Sequence, residues 1–137
     1  MSAQSEQLKE RSMLFAVSVL RLIEQFPNTI GGQLVARQLA KSATSVGANY
    51  RAVCDARSDS EFVAKLCIVN EEADESVYWL ELATRAKYLS PEKLVPYNNE
   101  ATELRAIFGR SLSTVRRRRR YAQASPVTQL PNDRMAE

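Results

Sequence analysis

The sequence predicts an all-α protein folded as an antiparallel up-down-up-down four-helix bundle, and three observations support this. Only 4 glycines and 5 prolines occur in 137 residues, and they separate long stretches without helix breakers. Within those stretches, apolar residues recur at spacings of three, four and seven. The connections are short, which makes consecutive helices antiparallel neighbours. A hydrophobic content of 45% suffices for one core, so residues 1–120 are predicted to form one domain.

The first predicted helix covers residues 5–26 and ends before Pro27, because the residue preceding a proline disfavours helical backbone. One face carries apolar side chains at helical spacing: Leu8, Phe15, Val19, Leu22 and Phe26. Further apolar residues widen that face: Met13, Leu14, Val17, Leu20 and Ile23. So wide an apolar stripe predicts contacts on more than one side, either with two helices of the bundle or with a second subunit.

The second and third predicted helices cover residues 30–56 and 59–89. Gly31 and Gly32 open the second helix, which presents Val35, Leu39, Val46, Tyr50 and Val53 on one side. Ser58 and Glu61 fit a capping box, in which the serine hydroxyl accepts from the Glu61 amide and the Glu61 carboxylate reaches back. The third helix then buries an apolar seam of Phe62, Leu66, Val69, Ala73, Leu80 and Ala83.

The fourth predicted helix follows Ser90 and Pro91, which read as an N-cap and a first-turn proline. Pro96 predicts that the first turn is separate and that the main helix covers residues 97–118. Its seam consists of Tyr97, Ala101, Leu104, Phe108 and Val115. Residues 121–137 lack apolar periodicity and are predicted to be a disordered C-terminal tail.

Charged residues on the second and third helices predict structural ion pairs. When the two helices are mirrored about the turn at residues 57 and 58, Lys41 faces Asp74 and Arg37 lies near Tyr78, with Glu75 between these levels. We therefore predict ion pairs among Arg37, Lys41, Asp74 and Glu75, where loss of one partner would strand the other charge.

Residue types that usually carry catalysis are scarce, so we expect no enzyme and assign no catalytic residue. The chain has no histidine, and its two cysteines, Cys54 and Cys67, lie in predicted helices without a base to activate them. Gly31 and Gly32 are not part of a phosphate-binding loop. Glu71 and Glu75 lie one turn apart and leave oxygen-only metal binding as a weaker hypothesis, but we expect neither a metal nor a cofactor.

A run of arginines at the end of the fourth helix is the strongest local signal. Residues 1–115 carry 13 Lys and Arg against 14 Asp and Glu, whereas residues 116–137 carry 6 against 2. Arginine donates two parallel hydrogen bonds to phosphate, and each neutralised phosphate releases counterions. We therefore predict an RNA or DNA contact surface, with the tyrosine stacking on bases. Its residues are Arg105, Arg110, Arg116, Arg117, Arg118, Arg119, Arg120 and Tyr121.

Two other interpretations of the run stay open. It can be a solvated extension that only aids solubility, or an incidental tail on a scaffold that binds another protein through apolar surface. The sequence does not indicate which nucleic acid is bound. Residues 1–11 are polar, and the most apolar run, 13–23, is broken by Arg21 and is far shorter than the roughly 20 residues needed to cross a bilayer. We therefore expect a cytoplasmic protein without a membrane contact.

Several strings of residues resemble one bacterial family. They are residues 37–52, then Ser58, Glu61-Phe62, Lys65-Leu66, Glu72, Glu75 and Tyr78-Trp79-Leu80, together with Phe15-Ala16-Val17 and Phe26-Pro27. Over residues 11–110 the chain resembles the four-helix-bundle proteins encoded by intervening sequences of 23S ribosomal RNA, the S23 family. The resemblance implies a left-handed bundle assembled as a ring-like homopentamer, similar to accessory proteins of diversity-generating retroelements, which engage nucleic acid and a reverse transcriptase.

Overall fold

The computed structural model describes the backbone of residues 2–136 and the side chains of residues 2–124. Those residues form a four-helix bundle and contain no β-strand. Helix α1 is Ala3–Ile23, α2 is Ile30–Cys54, α3 is Asp59–Arg85 and α4 is Pro91–Ala136. None of the four has a stretch that is long and apolar enough, within the described residues, to cross a lipid bilayer.

Hydroxyl side chains cap the first three helices. Ser2, Thr29 and Ser58 each adopt extended backbone and accept a hydrogen bond from an amide three residues later, which satisfies a donor that the helix cannot pair. At α3 the Ser58 hydroxyl accepts from the Glu61 amide at 3.1 Å, as the predicted capping box requires. The second predicted hydrogen bond of the capping box, accepted by the Glu61 carboxylate at the helix start, is replaced by an ion pair between Glu61 and Lys65 at 3.1 Å.

Helix α3 ends at Arg85, four residues before the predicted end. Lys87 adopts a left-handed backbone with φ of 61°, and its amide donates to the Thr84 carbonyl. The Tyr88 amide donates to the Ala83 carbonyl, which completes a Schellman motif. Glycine normally occupies the left-handed position, so the lysine gave no signal for this helix end.

Helix α4 begins at Pro91 and continues through Pro96, whereas the sequence predicted a separate first turn. Leu94 is fully buried and packs its first turn into the core. The helix also extends beyond residue 118, the predicted end, to Ala136. Its backbone is thus helical at residues 121–136, which the sequence predicted to be a disordered tail, and its side chains are described only as far as Ala124.

The core lies between the four helices and is built mainly from the predicted seams, although four seam residues are only partly buried: Leu8, Phe62, Tyr97 and Val115. Its largest fully buried apolar side chains are Leu22, Leu39, Leu66, Leu80, Leu94, Leu104 and Phe108. The Phe108 ring packs against Tyr50 with 5.3 Å between ring centroids, and burial raises the pKa of Tyr50 to about 12. Among the described residues, Leu112 is the last buried one on α4.

The helices do not contact one another equally. Helix α2 packs against both α1 and α3, and α4 packs extensively against α3 but only slightly against α1. The α1 and α4 helices therefore leave a cleft between them along one side of the bundle.

The predicted ion pairs between α2 and α3 are replaced by other contacts. The Ser76 hydroxyl donates to the buried Ser42 hydroxyl at 3.0 Å. Mirroring the two helices about the turn would place Ser42 opposite Ala73, so the observed pairing of α2 with α3 is shifted by three residues. The Asp74 carboxylate instead accepts a hydrogen bond from Arg105 of α4 at 3.0 Å. Asp74 is the residue after the buried Ala73, so its side chain leaves the core-facing side of α3 and points toward α4. Within residues 2–124, no ion pair joins Arg37, Lys41 or Glu75 to a partner.

Candidate nucleic-acid interface

The five consecutive arginines project in different directions, because successive residues of an α-helix are about 100° apart. Arg116 and Arg119 face α3: Arg116 Nη2 donates to Cys67 Sγ at 3.1 Å, and Arg119 Nη2 donates to Ser60 Oγ at 3.3 Å. Arg116 stays exposed despite this contact, as do Arg117, Arg118 and Arg120, whereas Arg119 is half-buried. Two arginines of the run therefore contact α3, and the other three point into solvent.

Arg105 lies on the same α3-facing side of α4. Its guanidinium pairs with Asp74, and both side chains remain partly in solvent. Arginines further along α4 contact residues nearer the start of α3. Their α3 partners are seven residues apart and lie on one face of that helix: Ser60, Cys67 and Asp74. The charge of Arg105 is therefore already paired, although the sequence grouped it with the phosphate-binding residues.

A second set of arginines lines the cleft between α1 and α4, which we call the α1–α4 groove. Arg11 comes from α1, and Arg110 and Arg118 come from α4, two turns apart. Neutral hydrogen-bonding side chains lie among them: Gln4, Gln7, Ser111 and Thr114. Leu8, Ile107 and Val115 supply apolar contacts, and the groove has a volume of about 560 Å³.

The arginines of the groove differ in how far they are neutralised. Arg11 makes a bidentate pair with Glu100, through Nε to Oε2 at 2.8 Å and Nη2 to Oε1 at 2.7 Å. This hydrogen bonding raises the pKa of Arg11 and fixes its guanidinium at the groove wall. Within residues 2–124, no carboxylate lies within ion-pair distance of Arg110 or Arg118. These two positive charges are available to a bound anion.

The contribution of α1 was missed in the sequence. Gln4, Gln7 and Arg11 recur at spacings of three and four, which places them on one polar stripe of a helix. This polar stripe is the only sequence feature that points to the groove. It looks like any solvent-exposed helix face unless α4 is known to lie beside it. The groove therefore could not be assigned from residues alone.

Tyr121 and the outward arginines extend the basic surface beyond the groove. Tyr121 is 77% exposed, and Arg117 and Arg120 are exposed on the same end of α4. An exposed aromatic ring beside guanidinium groups suits stacking on a base, as predicted from the sequence.

The acidic cluster of α3 presents one buried oxygen. Glu72 Oε2 is buried without a hydrogen-bond partner, and burial, reinforced by the charge of Glu75, raises the pKa of Glu72 while Lys41 opposes the shift. Within the described part of the chain, no three acidic or cysteine side chains are grouped so that they could hold a metal ion.

We expect Glu72→Gln to stabilise the protein at neutral pH. A carboxyl whose pKa is raised on folding contributes stability below its unfolded pKa of 4.5, and loses it as the pH rises through the higher folded value. The neutral amide removes this loss, so Tm should rise by roughly 3 °C at pH 7.5 and hardly change at pH 4. Thermal melts at both values measure the effect, with exposed Glu10→Gln as the control; an equal gain at both pH values contradicts it.

The fold and the groove together define a class of protein: a small four-helix bundle with a basic, hydrogen-bonding groove between its first and last helices. The chain belongs to the 23S rRNA-intervening sequence protein family, whose model matches residues 4–110. The match includes Arg11 and Arg110 and ends before the arginine run. The resemblance to the family of 23S rRNA intervening-sequence proteins is thereby confirmed.

A solved structure shares the fold. It is a protein of unknown function from the S23 ribosomal protein family of Bacteroides thetaiotaomicron, with a TM-score of 0.73 and 33% sequence identity. The similarity covers 80% of this chain and 97% of that one. No curated protein matches this chain.

Proposed function

We propose that this protein is a non-enzymatic helical bundle that binds RNA or DNA through phosphate contacts in the α1–α4 groove. The observation that carries the proposal is the convergence of Arg11, Arg110 and Arg118, from two helices, on one groove lined by amide and hydroxyl groups. Amide, hydroxyl and guanidinium groups hydrogen-bond to phosphate oxygens, and contacts to phosphate carry no direct sequence information.

The structure supports a division of roles among the arginines. Arg110 and Arg118 bind phosphate in the groove, and Arg117 and Arg120 bind it on the outward face of α4. Arg116 and Arg119, which donate to Cys67 and Ser60, hold α4 against α3 and contribute only general positive potential. The family is described by its link to 23S rRNA intervening sequences, which makes RNA the first probe.

A chain that ends at Val115 should bind RNA weakly and with less dependence on salt. It retains every described buried core residue, since Leu112 is the last, but loses the outward arginines Arg117, Arg118 and Arg120. Each phosphate contact contributes about 0.7 to 0.9 to the slope of log affinity against log salt, so the slope should fall by roughly 2. Titration of labelled RNA at several salt concentrations measures both quantities.

The matched control for the truncation is a chain that ends at Ala124. It keeps residues 116–120 and loses only residues 125–137, so its affinity and salt slope should equal those of the full chain. Equal binding by the chains ending at Val115 and Ala124 would exclude the arginine run as a phosphate-binding element.

We further propose that the bundle has up-down-up-down topology and assembles as a homo-oligomer, for which the family resemblance suggests a pentamer. An exposed apolar stripe on α1 supports association: Met13, Val17 and Leu20 are 49%, 38% and 43% exposed and lie at helical spacing. The mass in solution, measured by light scattering, gives the subunit number. An assembly would repeat the groove and strengthen a weak contact by avidity.

The same stripe supports the alternative of a protein-binding scaffold. A scaffold would recruit its partner through apolar contacts on α1, and the arginine run would be incidental. Co-purification from cell extract with and without nuclease separates the two functions, because a directly bound protein survives digestion of nucleic acid.

A further inference from the structure

A second cavity lies on the other side of α4, between that helix and the start of α3. This α3–α4 pocket has a volume of about 370 Å³, and its apolar surface comes from Phe62, Val115 and Ala122. Its polar groups are the Asp59 carboxylate and the guanidinium groups of Arg118 and Arg119. The pocket therefore combines an aromatic ring, a hydrogen-bond acceptor and positive charge.

The pocket adjoins the α1–α4 groove. Val115 and Arg118 line both cavities, so the two lie on either side of one ridge of α4. The pocket wall is held in place, because Arg119 donates to Ser60 and the Ser58 cap fixes the turn that carries Asp59. A chain molecule whose phosphates follow the groove can thus place its next group in the pocket.

We propose that the α3–α4 pocket receives an unpaired base of a single-stranded nucleic acid whose phosphates lie in the α1–α4 groove. This rests on the proposed function and adds a preference for single strands. The Phe62 ring offers a surface on which any base stacks, and the Asp59 carboxylate accepts from an N–H group on the base edge. Arg118 neutralises the adjoining phosphate. A duplex cannot enter, because its bases are stacked and paired in its interior.

The test compares three probes of equal length and therefore equal phosphate number: an unstructured single-stranded RNA, an RNA that folds into a hairpin duplex, and an abasic strand that has phosphates but no bases. The intact protein should bind the single strand about tenfold more tightly than the abasic strand. Phe62→Leu, which keeps an apolar side chain at this half-buried site, and Asp59→Ala, which removes the acceptor, should each reduce severalfold the ratio of single-strand affinity to abasic affinity. Tyr78→Leu, an exposed aromatic residue at the far end of α3, is the control.

Each outcome bears on one of the two proposals. Equal affinity of the intact protein for all three probes overturns the base pocket and leaves the phosphate groove intact. Binding of none of the probes overturns the proposed function itself. Circular dichroism establishes whether Phe62→Leu is folded, and Asp59→Ala decides the matter if it is not. Full preference for the single strand in the Asp59→Ala variant and in a folded Phe62→Leu variant would also overturn the pocket.

Discussion

Exchanging Arg110 and Arg118 together for glutamate should lower the affinity for RNA by roughly a hundredfold at low salt. Both side chains line the α1–α4 groove, and within residues 2–124 neither has an ion-pair partner. The exchange removes two phosphate contacts and places two negative charges where phosphates would lie. The slope of log affinity against log salt should fall by about 2, since each lost contact removes roughly one. Titrations of labelled RNA over a salt series measure both changes.

The matched control exchanges Arg21 and Arg51 for glutamate. Both are exposed arginines outside the groove, in the last turns of α1 and α2. Each exchange removes two positive charges and adds two negative ones, so both double variants carry a net charge of −1 instead of +3. If the two variants lose affinity equally, net charge rather than the groove governs binding, and the assigned site is wrong.

Replacing Phe108 by alanine should destabilise the protein by about 3 to 5 kcal/mol, which is the largest stability change we expect from one substitution. The ring is fully buried in the core and packs against Tyr50 of α2. Its removal leaves a cavity that the surrounding helices fill only in part. Because small domains are stable by only about 5 to 15 kcal/mol, Tm should fall by more than roughly 10 °C.

Tyr121→Ala is the control for this prediction. It removes an aromatic ring of similar size from the same helix, at a position that is 77% exposed, and should change the free energy of unfolding by less than about 0.5 kcal/mol. Denaturant unfolding of both variants gives the comparison. A Phe108→Ala variant as stable as the intact chain would mean that α4 does not pack in the core as described.

The sequence by itself determined the four helices and most of the core. Apolar spacing of three and four identified residues such as Leu39, Leu66 and Leu104, because a helix buries one face whatever it packs against. Ser58 and Pro91 marked helix starts for equally local reasons, since the first turn of any helix needs acceptors and tolerates proline. The Lys87 turn escaped detection because that backbone conformation is usually marked by glycine.

Only the tertiary structure decided the partners of the charged side chains. Whether Asp74 meets Lys41 or Arg105 depends on the rotation of α3 and on its register against two neighbours, which no local pattern encodes. The arginine run was conspicuous in the sequence, but its division between an anchoring side and a binding side depends on where α3 and α1 lie around α4. The groove itself exists because α1 and α4 make few contacts, so Arg11 and Arg110 share one surface only after folding.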